Sequence, residues 1–244
     1  MELFAILWRE FLFFKRRFFN ITTSAIITPL LYMIAFGWGL GSDVHIEGYT
    51  YMHFVIPGII SLTTMNTSFS AMSVRLNSTR LHEKSFEFYM TSPVDIRLLA
   101  LGFIVSGALR GIYTSTLVLL ISSLFGITIN INLGFIIICI LNSFLFAALG
   151  YGAAMTINSH YDINRFSTFV MTPMSFLSGT FFSLNKLPRW MKYFIDILPL
   201  THATKGLRDI VLKGEYNRGS ILILLFYSIG LYIYGVKMTN REIY

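Results

Sequence analysis

The chain has 244 residues, 55% of them hydrophobic and 13% charged, with a mean hydropathy of +0.65. The charged share is about half that of a soluble domain, and several charge-free runs are long enough to cross a bilayer, so the fold class is all-α integral membrane. The net charge of +7 fits basic loops facing anionic lipid and no nucleic-acid partner, and the single cysteine, Cys139, excludes an internal disulfide and a multi-cysteine metal site.

Residues 2–17 read as an amphipathic helix lying on the membrane. Glu2, Arg9 and Arg16 recur every seven residues with Glu10 and Arg17 beside them, while Phe4, Leu7, Trp8, Phe11 and Phe14 take the other side. The simpler alternative is the flank of the first span. Charges inside the apolar part, with no small-residue cleavage site after it, argue against a secretory signal. The cluster Lys15-Arg16-Arg17 is expected in the cytoplasm.

Span 1 is expected at 20–40, with Pro29 as a kink site. The loop after it carries Asp43, His45 and Glu47, which read as solvated residues because a fourth metal ligand is missing. Span 2, at 52–74, contains Pro57-Gly58 and the polar run SLTTMNTSFS. Such residues permit close helix contact and hydrogen bonds between helices; they can equally line a polar pathway, and Asn66 is the candidate there.

Residues 75–97 form the most charged stretch and read as a cytoplasmic loop holding a short helix at 78–92, capped by Ser78 or Thr79 and stopped by Ser92-Pro93. Arg80, Glu83, Lys84 and Glu87 alternate with Leu81, Phe86, Tyr89 and Met90, so one face can rest on a partner; the alternative is a solvated charged loop.

Span 3, at 98–125, carries one full charge, Arg110. An arginine at mid-span costs about 2.5 kcal/mol or more, so it faces a partner or a watery cavity. With no Asp or Glu inside the spans, the expected partners are helix-end carbonyls, a lipid phosphate or the substrate. Span 4 is expected at 128–157, with Asn142 deep inside it as a second pathway candidate and Gly150-Tyr151-Gly152 for close packing. Residues 158–165 read as a polar turn, and span 5 occupies 166–182 with Pro173 midway.

Gly179 breaks that span. Leu187, Trp190, Met191, Phe194, Ile195 and Leu198 then follow helical spacing opposite Lys186, Arg189, Lys192 and Asp196, and Pro199 ends the piece before a second amphipathic segment at 201–212. Span 6 is expected at 219–236. Six spans put both termini on one side. That side then holds eleven Lys/Arg, while seven, all between Lys186 and Arg218, lie on the other. The positive-inside rule alone does not choose this arrangement, although the first two outer loops carry no Lys or Arg.

The residues Phe176-Leu177-Ser178-Gly179-Thr180-Phe181-Phe182, Leu187-Pro188-Arg189-Trp190, Leu198-Pro199-Leu200-Thr201-His202-Ala203 and Leu207-Arg208 resemble the region before the last span of ABC-2 type transporter permeases. The loop also resembles that family: Glu83, Glu87 and Ser92-Pro93-Val94 match its coupling-helix pattern, with Lys84-Ser85-Phe86 where a glycine is often found. The resemblance implies that residues 183–213 are paired re-entrant helices outside the cell, marked by Gly179, Pro188, Trp190 and Pro199. It implies that Arg80, Glu83, Lys84, Phe86, Glu87 and Tyr89 face an ABC ATPase. Two ATPase copies, holding ATP and Mg, would sit below this permease and a second copy or paralogue, in the inner membrane with both termini cytoplasmic. The chain itself would bind no cofactor, and no Gly-x-x-x-x-Gly-Lys-Ser/Thr loop occurs in it. The implied function is export of an amphipathic or hydrophobic cargo (a drug, lipid or lipid-linked glycan) by alternating access, with Arg110, Asn66 and Asn142 as pathway candidates.

Two other classes compete. A membrane enzyme needs a catalytic constellation, but His45, His53, His82, His160 and His202 are scattered and His82-Glu83 lacks the second histidine of a zinc-protease motif. An ion-coupled carrier, working without an ATPase, usually shows embedded carboxylates and an internal repeat, neither of which the sequence displays.

Overall fold

Backbone inside hydrocarbon must satisfy its own polar groups, and this chain does so with helices. The computed structural model describes residues 2–39, 45–46, 48–81, 86, 95–184 and 187–243. Helix α1 spans Glu2–Arg16, and α2 spans Phe18–Met33 before a π-helical turn at Ile34–Trp38. A small antiparallel hairpin, β1 (His45–Ile46) and β2 (Tyr49–Thr50), pairs His45 with Thr50 and leads into α3 (Tyr51–Leu81). Then come α4 (Ile96–Leu124), α5 (Leu133–Thr156), α6 (His160–Phe166), a π-helical turn at Ser167–Met171 and α7 (Thr172–Leu177). Two short helices, α8 (Arg189–Asp196) and α9 (Pro199–Arg208), precede a π-helical turn at Asp209–Lys213 and the last helix, α10 (Arg218–Ile243).

Capping explains several boundaries. The Asp95 carboxylate accepts from the Arg97 amide at 2.8 Å, and the Asn132 side chain accepts from the Phe135 amide at 2.9 Å, so α4 and α5 each start on an oxygen that satisfies a first-turn donor. Helix α5 therefore begins five residues later than the expected 128. Ser159 caps α6, so the expected polar turn at 158–165 is mostly the first turns of a helix that runs on to Leu177. Helix α10 continues past the expected end at 236 to Ile243.

Helix α3 is the centre of the bundle. It packs against α4, α5 and α9, and most of its length is buried. It approaches α5 so closely that a Cβ on Gly150 would lie 2.6 Å from the Phe69 carbonyl oxygen. The run Phe18–Phe36 and the helical stretches Ile96–Leu124, Leu133–Thr156 and Arg218–Arg241 are long and apolar enough to cross a membrane. Helix α3 has the length but not the hydropathy, because Ser61, Thr63, Thr64 and Ser68 are buried against protein rather than lipid.

The expected cap at Ser78 or Thr79 is not made. Helix α3 runs through both residues to Leu81, since Leu76, Asn77 and Thr79 are buried and the Asn77 amide donates to the Ile157 carbonyl at 2.8 Å. Burial at the end of α5 rewards a continued helix more than a local cap does.

The two ends of the bundle differ. At one end α1, the end of α3 and the start of α4 meet in an apolar cluster of Ile6, Leu76, Phe86, Phe103 and Tyr151, and Val236 and Met238 of α10 pack on it. At the other end the start of α3 meets the 178–217 region: Tyr51 donates to the Phe181 carbonyl and Tyr49 to the Leu212 carbonyl.

Candidate transport site and coupling surface

Arg110 has an acidic partner after all. Helix α1 turns its Glu10 carboxylate inward, where it is 3% exposed, and its aromatic residues Phe4, Trp8 and Phe11 outward. Glu10 Oε2 accepts from Arg110 at 3.1 Å and from Arg75 at 3.0 Å, and Oε1 accepts from Arg9 at 3.0 Å. One carboxylate thus serves three guanidinium groups from α1, α3 and α4. Phe13, one turn along α1, lies against the same group: Arg75 stacks 3.4 Å from its ring centroid and Arg110 sits at 5.2 Å. The sequence reading placed Glu10 with the solvated charges of an interfacial helix. Its inward rotation is enforced by Ile6, which packs on Gly102 of α4 one turn earlier.

Next to this hub a groove of about 520 Å³ runs between α2 and α3. Arg17 and Arg110 stand in its wall with Asn20, Ser24, Thr28, Asn66, Thr67 and Ser70, while Phe13, Ile21, Ala25, Pro29 and Ala71 leave most of the lined surface apolar. Asn66 is exposed there, beside the largely uncovered helix α2. Asn142 is elsewhere. It is fully buried between α3 and α5, where its amide donates to the Ser61 carbonyl at 3.0 Å, and the Ser61 hydroxyl shares a 2.7 Å hydrogen bond with Thr204 of α9. The structure therefore brings Arg110 and Asn66 to one groove and gives Asn142 to helix packing.

Of the residues expected to face an ATPase, Arg80 and Phe86 are among the described ones. Arg80 donates to the Ala154 carbonyl and to the Asn158 side chain, tying α3 to the end of α5. Phe86 is buried in the apolar cluster, 6.4 Å from the Phe103 ring. Glu83, Lys84, Glu87 and Tyr89 lie outside the described residues.

At the opposite end, Gly179 adopts a left-handed φ of 72° that turns the chain back after α7. The returning segment lies on α3 so tightly that a Cβ on Gly58 would sit 2.5 Å from the Thr180 carbonyl oxygen. Arg208 fastens it. Its Nε donates to the Phe54 carbonyl at 3.1 Å and its terminal nitrogen to the Gly179 carbonyl at 2.9 Å, with the guanidinium 3.6 Å from the Phe54 ring centroid. Pro188 precedes the first turn of α8, and Pro199 opens α9, where its missing amide costs nothing. Ile195 of the expected apolar stripe is buried, whereas Trp190 and Phe194 are exposed, with Tyr193 and Ile197 beside them.

A helical bundle with four stretches long and apolar enough to cross a membrane, and with a groove of mixed polarity along the uncovered α2, is built as a multi-pass membrane protein. The chain belongs to the ABC-2 type transporter family, whose model matches residues 1–212. It is 26% identical over 226 residues to the inner membrane transport permease YadH of Escherichia coli K12, covering 88% of each chain. It is 23% identical over 244 residues to the daunorubicin resistance ABC transporter permease protein DrrB1 of Streptomyces coeruleorubidus, covering 96% of this chain and 83% of that one. Nodulation protein J of Rhizobium meliloti is 26% identical over 210 residues, or 85% of this chain and 80% of that protein. Permeases of this family are membrane subunits whose ATPase is a separate partner.

Proposed function

We propose that this chain is the permease of an ATP-driven exporter in the inner membrane. It moves an amphipathic or hydrophobic cargo (a drug, lipid or lipid-linked glycan) outward by alternating access. Six spans make the subunit: the four apolar stretches, α3, and the α6–α7 run. Both termini are cytoplasmic, and residues 183–213 are re-entrant on the outer side. A second copy or a paralogue completes the membrane part, and two ATPase subunits holding ATP and Mg dock on the loop of Glu83 and Glu87.

One observation carries the reading. Phe86 of the loop, α1, the Glu10 hub and the α2–α3 groove form an unbroken line of contacts. Movement of the loop by the ATPase is passed through Phe86 and Phe103 to α1, and through Glu10 to Arg75 and Arg110. The groove wall then shifts. Its scattered hydroxyl, amide and guanidinium groups on a mostly apolar wall suit an amphipathic cargo, while the exposed side of α2 leaves an apolar tail in lipid or against the second subunit.

The test is co-purification with the ATPase and reconstitution of both in proteoliposomes. Hydrolysis that depends on Glu83 and Glu87, with export that falls on Asn66→Leu, supports the reading. A folded chain that associates with no ABC ATPase refutes it.

A further inference from the structure

The seven Lys/Arg between Lys186 and Arg218 sit where the positive-inside rule disfavours them once the termini are cytoplasmic. The fold gives a reason for this concentration. Four cationic side chains, Lys192 of α8, Lys205 and Arg208 of α9 and Lys213 of the following turn, converge on one cavity of about 320 Å³, against two carboxylates, Asp196 and Asp209. Asp209 already pairs with Lys213 at 3.1 Å and accepts from Asn217 at 3.0 Å. The cavity thus carries an excess of two positive charges. The buried Ser178 hydroxyl in its wall has no hydrogen-bond partner. A buried hydroxyl left unsatisfied marks a place for an acceptor that a ligand supplies. The volume is at the small end of ligand pockets.

Helix α8 supplies the second half of the argument. Its Lys192 and Asp196 face the cavity, while Trp190, Tyr193, Phe194 and Ile197, at i, i+3, i+4 and i+7, form an exposed apolar stripe beside it. An aromatic stripe of this kind rests at the headgroup level of a bilayer. The cavity is therefore cationic and lies next to an interfacial surface.

We propose that this cavity binds a phosphate-bearing anion, held by Lys192, Lys205 and the Ser178 hydroxyl with Arg208 at its base, and that the source is an amphiphile whose apolar part lies along the α8 stripe. A phosphate matches the excess of two charges and accepts several hydrogen bonds at once. The assignment deepens the exporter reading, on which its outward orientation and its place at cargo release rest.

The full chain in phosphatidylcholine nanodiscs exposes both faces, so binding is measured whatever the orientation. Isothermal titration uses dihexanoyl phosphatidic acid in one arm and inorganic phosphate in the other. The expected result is saturable binding of the lipid that weakens about tenfold in Lys192→Gln/Lys205→Gln, with a smaller loss in each single variant and in Ser178→Ala, at unchanged thermal midpoints. Tight binding of inorganic phosphate as well identifies free phosphate as the source and upholds the anion site. Absence of binding in both arms, or binding unchanged in the double variant, overturns it. Labelling of Lys205→Cys by a membrane-impermeant maleimide in intact cells reports the side separately. Protection from the outside sinks the exporter topology without altering the binding result.

Discussion

Replacing Glu10 by glutamine isolates the hub, because the shape is kept and the charge is lost. In the parent, the carboxylate is 3% exposed and meets Arg75 at 3.0 Å and Arg110 at 3.1 Å, the latter side chain only 11% exposed. Removing one partner of a buried ion pair costs about 3–5 kcal/mol. Glutamine keeps one carbonyl acceptor, which satisfies one guanidinium, so the lower end of about 3 kcal/mol applies. Arg9 is a third exposed and contributes little. At about 2–4 °C per kcal/mol for a chain of this length, the thermal midpoint in detergent should fall by about 6–12 °C. Glu10→Gln/Arg110→Gln should lose less than the sum of the two single variants, by about 1–3 kcal/mol. Unfolding is followed by tryptophan fluorescence. A Glu10→Gln midpoint within about 2 °C of the parent, or strict additivity in the double variant, refutes the claim that this carboxylate holds α1, α3 and α4 together.

Phe86→Ala should uncouple the subunits: ATP hydrolysis in the reconstituted complex persists while cargo moved per ATP falls about tenfold, and equal losses in both refute transmission through this ring. Gly58→Val forces a side chain onto the Thr180 carbonyl and should cost about 2 kcal/mol, or about 4–8 °C of thermal midpoint; an unchanged midpoint refutes the close approach. Asn66→Leu and Asn142→Leu should separate pathway from packing. The first leaves the midpoint unchanged and lowers export about tenfold; the second shifts the midpoint by about 1 kcal/mol of stability and leaves export intact. The reverse pattern refutes the groove as the pathway.

Much of the architecture is legible because it is written locally. Charge-free runs mark α2, α5 and α10, and a run broken by Arg110 alone marks α4, whatever their neighbours, and Pro199 and Gly179 mark breaks because each constrains its own backbone. Boundaries were less legible where tertiary burial outweighs a local signal. Ser78 and Thr79 look like a helix start, yet Asn77 and Thr79 are buried against the end of α5 and the helix passes through them. The polar run in α3 left packing and pathway open, and the fold divides it: Ser61, Thr64 and Ser68 turn to protein, while Asn66 and Ser70 turn to the groove.

The Glu10 hub was hidden for a different reason. Arg110 declares itself in the sequence, because a charge inside a span must find a partner. Its mate lies 100 residues away on a helix outside the spans. A heptad of charges along α1 places Glu10 beside Arg9 on a polar face, and a one-dimensional pattern cannot distinguish a carboxylate facing water from one facing a bundle with its own arginines. The distinction comes from Ile6, four residues earlier, which seats on Gly102 and fixes the rotation of the helix. Once Ile6 is inward, Glu10 and Phe13 must be inward too, by helical spacing. Helix α1 is thereby tied through Glu10 to Arg110, the one charge in α4 beyond its first turn, so that neither helix can rotate without breaking a buried ion pair.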